Sequence, residues 1–82
     1  MANSMKSVVI GKRQILRELK KGNIVQITIA TDAETQYIAS LIEVAKEYGV
    51  PYRLNGTMDE ISKGYGIDVP SGAIGVLANV ER

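Results

Sequence analysis

Four short, mainly apolar runs with the character of strands alternate with three stretches of helical periodicity along the 82 residues of this chain, and glycines stand at many of the junctions. That alternation constrains the fold more than any other feature. Ser7 to Ile10 predicts one brief strand, which Gly11 breaks. Lys12 to Lys21 predicts a helix with Ile15, Leu16 and Leu19 on one side and Gly22 as its stop. From Ile24 to Ala30, Val25, Ile27 and Ile29 alternate with Gln26 and Thr28, the period-two pattern of a strand. Thr31-Asp-Ala-Glu34 has the spacing of a helix capping box, and a long helix is expected to open there. Ile38, Leu41, Ile42 and Ala45 make its apolar stripe, widened by Tyr37, Val44 and Tyr48 and closed by Gly49. Val50 to Leu54 predicts a second full strand, with Pro51 confined to its start or to a sheet edge. Thr57-Met-Asp-Glu60 is another capping box, for a helix kept short by Gly64 and Gly66. A loop from Gly66 to Gly72 leads into a last apolar run from Ala73 to Val80. The order β-α-β-α-β-α-β implies an α/β sheet layered between helices, with parallel or mixed pairing. With no internal repeat and no flexible linker, residues 1–82 are expected to form one domain.

Two zeros in the composition exclude most catalytic chemistry. The chain has no cysteine and no histidine, which removes disulfides, thiolate nucleophiles, imidazole acid–base catalysis and most zinc sites. The carboxylates show no metal-ligand spacing, and Gly64, Gly66 and Gly72 match no phosphate-cradling glycine pattern. The reading is not an enzyme, with no cofactor expected. No apolar stretch approaches a membrane span, and Met-Ala-Asn-Ser-Met-Lys lacks the apolar core of a secretion signal, so a cytoplasmic protein is expected.

Charge is informative only when divided along the chain. The formal net charge is +1, yet through Gly22 six cations face Glu18 alone, whereas from Asn23 onward four cations face eight carboxylates. Such asymmetry suits a localised anionic partner, or a solvated basic face. On a helical wheel Arg13, Gln14, Arg17, Lys20 and Lys21 share an arc of roughly 120°, opposite Ile15, Leu16 and Leu19. Gly11 precedes the helix, where backbone N–H groups and the helix dipole can meet a phosphate. Gln14 both donates and accepts, as reading a base edge requires, while the cations suit phosphates. The second candidate is Ile67-Asp-Val-Pro70. Its aliphatics either fold back into the core or cover something apolar such as an unstacked base, and Asp68 either accepts a hydrogen bond or caps a turn.

Three segments in order carry a family resemblance: Gly11-Lys-Arg-Gln-Ile-Leu-Arg-Glu-Leu-Lys-Lys-Gly22, Ile24 to Ala30 with Asp32, and Ile61-Ser-Lys-Gly-Tyr-Gly-Ile-Asp-Val69. From about Ser7 to Val80 the chain resembles the ribosomal protein L-seven-Ae family of kink-turn RNA-binding proteins, and within it the short stand-alone bacterial, YbxF-like members. The resemblance implies a three-layer α/β/α sandwich around a four-stranded mixed sheet. It implies recognition of tandem sheared G·A pairs and a flipped-out nucleotide in a structured RNA such as ribosomal RNA, a riboswitch or an RNase P–type RNA. The family's Asn-Glu-x-x-Lys pattern falls on Arg13, Gln14 and Arg17, preceded by Gly11 and Lys12; the bacterial subgroup has a basic residue and Gln at the first two positions. The loop that packs on the flipped-out nucleotide matches Ile67, Asp68, Val69 and Pro70. A family lysine matches Lys63, although Ile61-Ser62 stands for the usual Leu-Gly before it and Gly64-Tyr65 follows. On this reading Lys12, Arg13, Arg17, Lys20 and Lys21 neutralise phosphates, Gln14 reads the G·A step and residues 67–70 cover an extruded base. The protein is expected to be monomeric. The competing reading is a protein-interaction adaptor of the same fold, docking a partner through the face around Tyr37, Val44 and Tyr48.

Overall fold

The computed structural model describes residues 8–68 and 70–78. Within them the elements are β1 (Val8–Ile10), α1 (Lys12–Lys20), β2 (Ile24–Ile29), α2 (Thr35–Tyr48), β3 (Tyr52–Leu54), α3 (Met58–Gly64) and β4 (Ala73–Leu77). The element order is the expected one, while Ser7 and Val80 lie outside the described residues. The strands form one mixed sheet in the order β1-β4-β2-β3. β4 runs antiparallel to both β1 and β2, and β3 runs parallel to β2.

Alternation along β4 divides the core into two layers. Ala73 joins Ile15, Leu19, Ile27, Ile29, Leu41 and Ala45 on the α1–α2 side, whereas Ile74 joins Ala30 and Ile61 on the α3 side. Helices on both faces complete the three-layer α/β/α sandwich. Ile15, Ile27, Ile29, Leu41 and Ile74 are fully buried, and burying each such side chain contributes about 1.5–3 kcal/mol. α1 lies directly on β4 because Gly75 has no side chain: a Cβ there would stand 2.9 Å from Ile24 and 3.0 Å from Ile15.

Three expectations need correction. First, the capping box at Thr31 to Glu34 does not start α2, which begins at Thr35 with Glu34 as N-cap and no side-chain cap. Asp32 and Thr31 are used elsewhere. Asp32 Oδ1 accepts from the Met58 N–H at 2.9 Å, and the Thr31 hydroxyl donates to the Gly56 carbonyl at 3.1 Å. Second, the even alternation in β2 is interrupted by a register shift between Ile24 and Gln26, which turns Val25 outward at 47% exposure and returns Ile27 and Ile29 to the core. Third, the strand expected from Val50 starts at Tyr52. The Val50 N–H is spent on the Ala45 carbonyl at the end of α2, and Pro51 accepts from Ile27 at the start of the edge strand. The box at Thr57 forms as expected, with Glu60 N–H donating to Thr57 Oγ1 and Thr57 N–H donating to Glu60 Oε1. Among the described residues, no helix is long and apolar enough to cross a membrane.

Candidate nucleic-acid interface

Gly11 sets the geometry of the basic helix. Its φ of 91° and ψ of 153° belong to a region that is essentially closed to side chains, and nothing lies within 4 Å of where its Cβ would be. The turn holds because the Gly11 N–H donates to the Ala73 carbonyl and the Gly11 carbonyl accepts from Ile15, both at 3.1 Å. The start of α1 is thereby pinned to the start of β4, immediately after the 66–72 loop.

From there the helix presents its cations as the wheel implies. Ile15 and Leu19 are buried and Leu16 is half-buried, while Arg13, Gln14, Arg17 and Lys20 are exposed. No carboxylate pairs with Arg13, Arg17 or Lys20 among the described residues. Lys21 differs: its ammonium lies 3.8 Å from Glu18, whose other carboxylate oxygen accepts from Asn23 at 2.8 Å. Lys12 differs too. It is half-buried and turns into an open groove toward α2, beside Glu34, Tyr37 and Glu43.

The 67–70 loop divides between the alternatives that its sequence left open. Ile67 packs back against Ile61 and Ile74, whereas Asp68 and Pro70 are exposed. Val69 lies outside the described residues. The loop is held by Ser62, whose carbonyl accepts from the Ile67 N–H at 2.8 Å and whose hydroxyl accepts from the Ser71 N–H at 2.9 Å. Ser71 in turn donates to the Ala73 carbonyl at 3.0 Å. Lys63 sits in the last turn of α3, where its carbonyl accepts from the Gly66 N–H at 3.0 Å and its ammonium pairs with Asp59 at 3.4 Å, while Lys20 and Lys21 stand at the far end of α1.

Tyr37 joins the two regions, a role that the sequence does not announce. A Cβ on Gly72 would fall 2.8 Å from Tyr37 Cε2, so the ring lies directly on the loop backbone. Burial pushes the Tyr37 hydroxyl above its usual pKa, and a hydrogen bond from the Lys12 backbone acts in the opposite direction. α2, the first turn of α1 and the loop therefore meet at one ring. Beside it, Asp32, Ala33, Glu34, Tyr37, Met58 and Gly72 line an open groove of about 250 Å³. In the sequence Tyr37 is only one member of an apolar face that also holds Val44 and Tyr48.

Comparison with known proteins agrees with this architecture. The model of the ribosomal protein L7Ae/L30e/S12e/Gadd45 family matches residues 1–81. An RNA-binding protein of Bacillus pumilus is 31% identical over 71 residues, covering 87% of each chain. The RNA-binding protein YbxF of Geobacillus stearothermophilus is 31% identical over 70 residues, covering 85% of each. Among solved structures, the Giardia lamblia 15.5 kD RNA-binding protein has the same fold, with a TM-score of 0.81 at 20% identity over 89% of this chain and 62% of that one. A Bacillus halodurans protein of unknown function superposes with a TM-score of 0.80 at 18% identity, over 87% of this chain and 71% of that one.

Proposed function

The chain belongs to the ribosomal protein L7Ae/L30e/S12e/Gadd45 family, with small stand-alone bacterial relatives of the YbxF type, and from that premise we propose that it binds structured RNA at kink-turns. One observation carries the reading: the first turn of α1, basic and without an acidic residue, is fastened by Gly11 to Ala73 at the end of the 66–72 loop, and the same loop lies through Gly72 on Tyr37, which lines a groove with Met58.

The physical logic runs from RNA geometry. An A-form helix has a deep, narrow major groove that side chains do not read, so a protein helix enters only where the RNA kinks and the groove widens. Arg13, Arg17 and Lys20, which have no carboxylate partner among the described residues, neutralise the phosphates that converge there. Gln14, exposed between them, pairs with a guanine edge of the sheared G·A step. The extruded nucleotide enters the groove between Met58, Tyr37 and Gly72, and the exposed Asp68 and Pro70 of the loop that leads to Gly72 cover it. Gly11 shapes the entry, whereas Lys21 and Lys63 contribute less than the sequence suggested, since each is paired with a carboxylate; Lys12 faces the groove along α2.

The test is a titration of an end-labelled kink-turn duplex at low magnesium, read by energy transfer, beside a control whose G·A pairs are replaced by Watson–Crick pairs. Tight folding of the first alone is expected. Equal weak binding to both would reduce α1 to non-specific electrostatics and bring the adaptor reading forward.

A further inference from the structure

A second groove, on the other side of α3, is not needed by the kink-turn reading. About 360 Å³ in volume, it lies between α3 and the edge strand, with Thr28 at its base and Arg53, Asn55, Glu60, Gly64 and Tyr65 around it. Its placement follows from strand alternation. Tyr52 packs into the α1–α2 core, so Arg53 beside it rises from the opposite face, paired in register with Thr28. Tyr65, the C-cap of α3, is 38% exposed. No ion pair engages Arg53 among the described residues, and no hydrogen bond engages the Asn55 side chain.

We infer that this groove binds one unpaired nucleotide of an RNA strand, its base stacked on Tyr65 with Arg53 and Asn55 supplying the polar contacts. An aromatic face beside a guanidinium plane is the combination that holds splayed-out bases, and it tolerates any base because every base has a π-face. Glu60 favours a base edge over a phosphate at its end of the groove: its Oε1 is committed to Thr57, and Oε2 has no partner among the described residues. α3 separates this groove from the one beside Met58 and Gly72, and its seven residues rise only about 10 Å, a distance that a few unpaired nucleotides cross. A strand leaving the kink-turn site over α3 would reach Tyr65; that continuity rests on the kink-turn reading, but the groove's own chemistry does not.

The experiment keeps the two apart by using no kink-turn. Isotope-labelled protein is titrated with a single-stranded adenylate tetranucleotide and its amide resonances are followed. Saturable shifts are expected at Thr28, Arg53, Asn55 and Tyr65. Tyr65→Leu is expected to weaken that binding at least about fivefold, the lower end for losing one base–aromatic stack. Arg53→Gln, at an exposed edge position, is expected to weaken it without the loss of an aromatic ring. Shifts confined to α1, no shifts, or two variants with unchanged affinity would overturn the inference. The duplex titration above decides the kink-turn reading separately.

Discussion

Replacing Gly72 by alanine tests the joint between the loop and α2 through a change of sign. The added Cβ would stand 2.8 Å from Tyr37 Cε2 and 3.2 Å from Cζ, so either the ring or the loop must move. Overpacking of that kind costs about 1–3 kcal/mol. The backbone itself raises no objection, because Gly72 is absent from the positive-φ glycines. Where the conformation is compatible, Gly→Ala stabilises by about 0.4–1 kcal/mol through the unfolded chain. The net cost in the wild-type background is therefore smaller than the clash alone. In a Tyr37→Ala background the three nearest atoms are gone, and the same substitution becomes stabilising by about 0.4–1 kcal/mol. Urea denaturation of the four proteins, followed by circular dichroism, closes the cycle. Thermal melts supply a second readout, since 1 kcal/mol shifts the midpoint by about 4–8 °C in a domain of this size. An equal cost in both backgrounds would refute the reasoning, because Tyr37 would then not be what the new methyl group meets.

Other perturbations address the helix and the tyrosine hydroxyl. Gln14→Ala is expected to cost about 1–3 kcal/mol in affinity for a kink-turn with intact G·A pairs, and an unchanged dissociation constant would remove the base-reading role. Lys20→Ala is expected to lower the salt slope of RNA binding by about 0.7–0.9 without altering sequence preference; a slope that stays put makes this lysine a solvated surface group. Gly11→Ala has open space but the wrong backbone region, so it is expected to destabilise by about 1–3 kcal/mol in the absence of RNA, measured by the same urea titration. For Tyr37 the folded pKa lies above the ordinary 10.0, so its stabilising contribution is complete below about pH 10 and is lost as pH rises through the folded value. Tyr37→Phe should flatten that alkaline decline relative to wild type; an identical decline in both would assign it to other groups.

Much of this protein was legible locally. The order of the elements, the buried side of α1 and the cap at Thr57 follow from periodicities and hydrogen bonds that close within a few residues, where a linear reading sees every participant. Arg13, Gln14 and Arg17 share an exposed face for the same reason. The two boxes of like spacing show where that reach ends. Thr57 and Glu60 satisfy each other, whereas Thr31 and Asp32 are drawn to Gly56 and Met58, 25 and 26 residues away. Partners brought near by the fold, a carbonyl for Thr31 and an N–H for Asp32, outcompeted the local ones. The outward turn of Val25 likewise depends on the register against β4, and the position of Tyr37 on its contact with Gly72. The sequence by itself determined the layers and the charged helix. Only the tertiary structure decided that the start of that helix is tied to the end of the 66–72 loop, by Gly11 to Ala73, and that the loop lies on Tyr37, because these contacts form between segments distant in the chain, where periodicity carries no information.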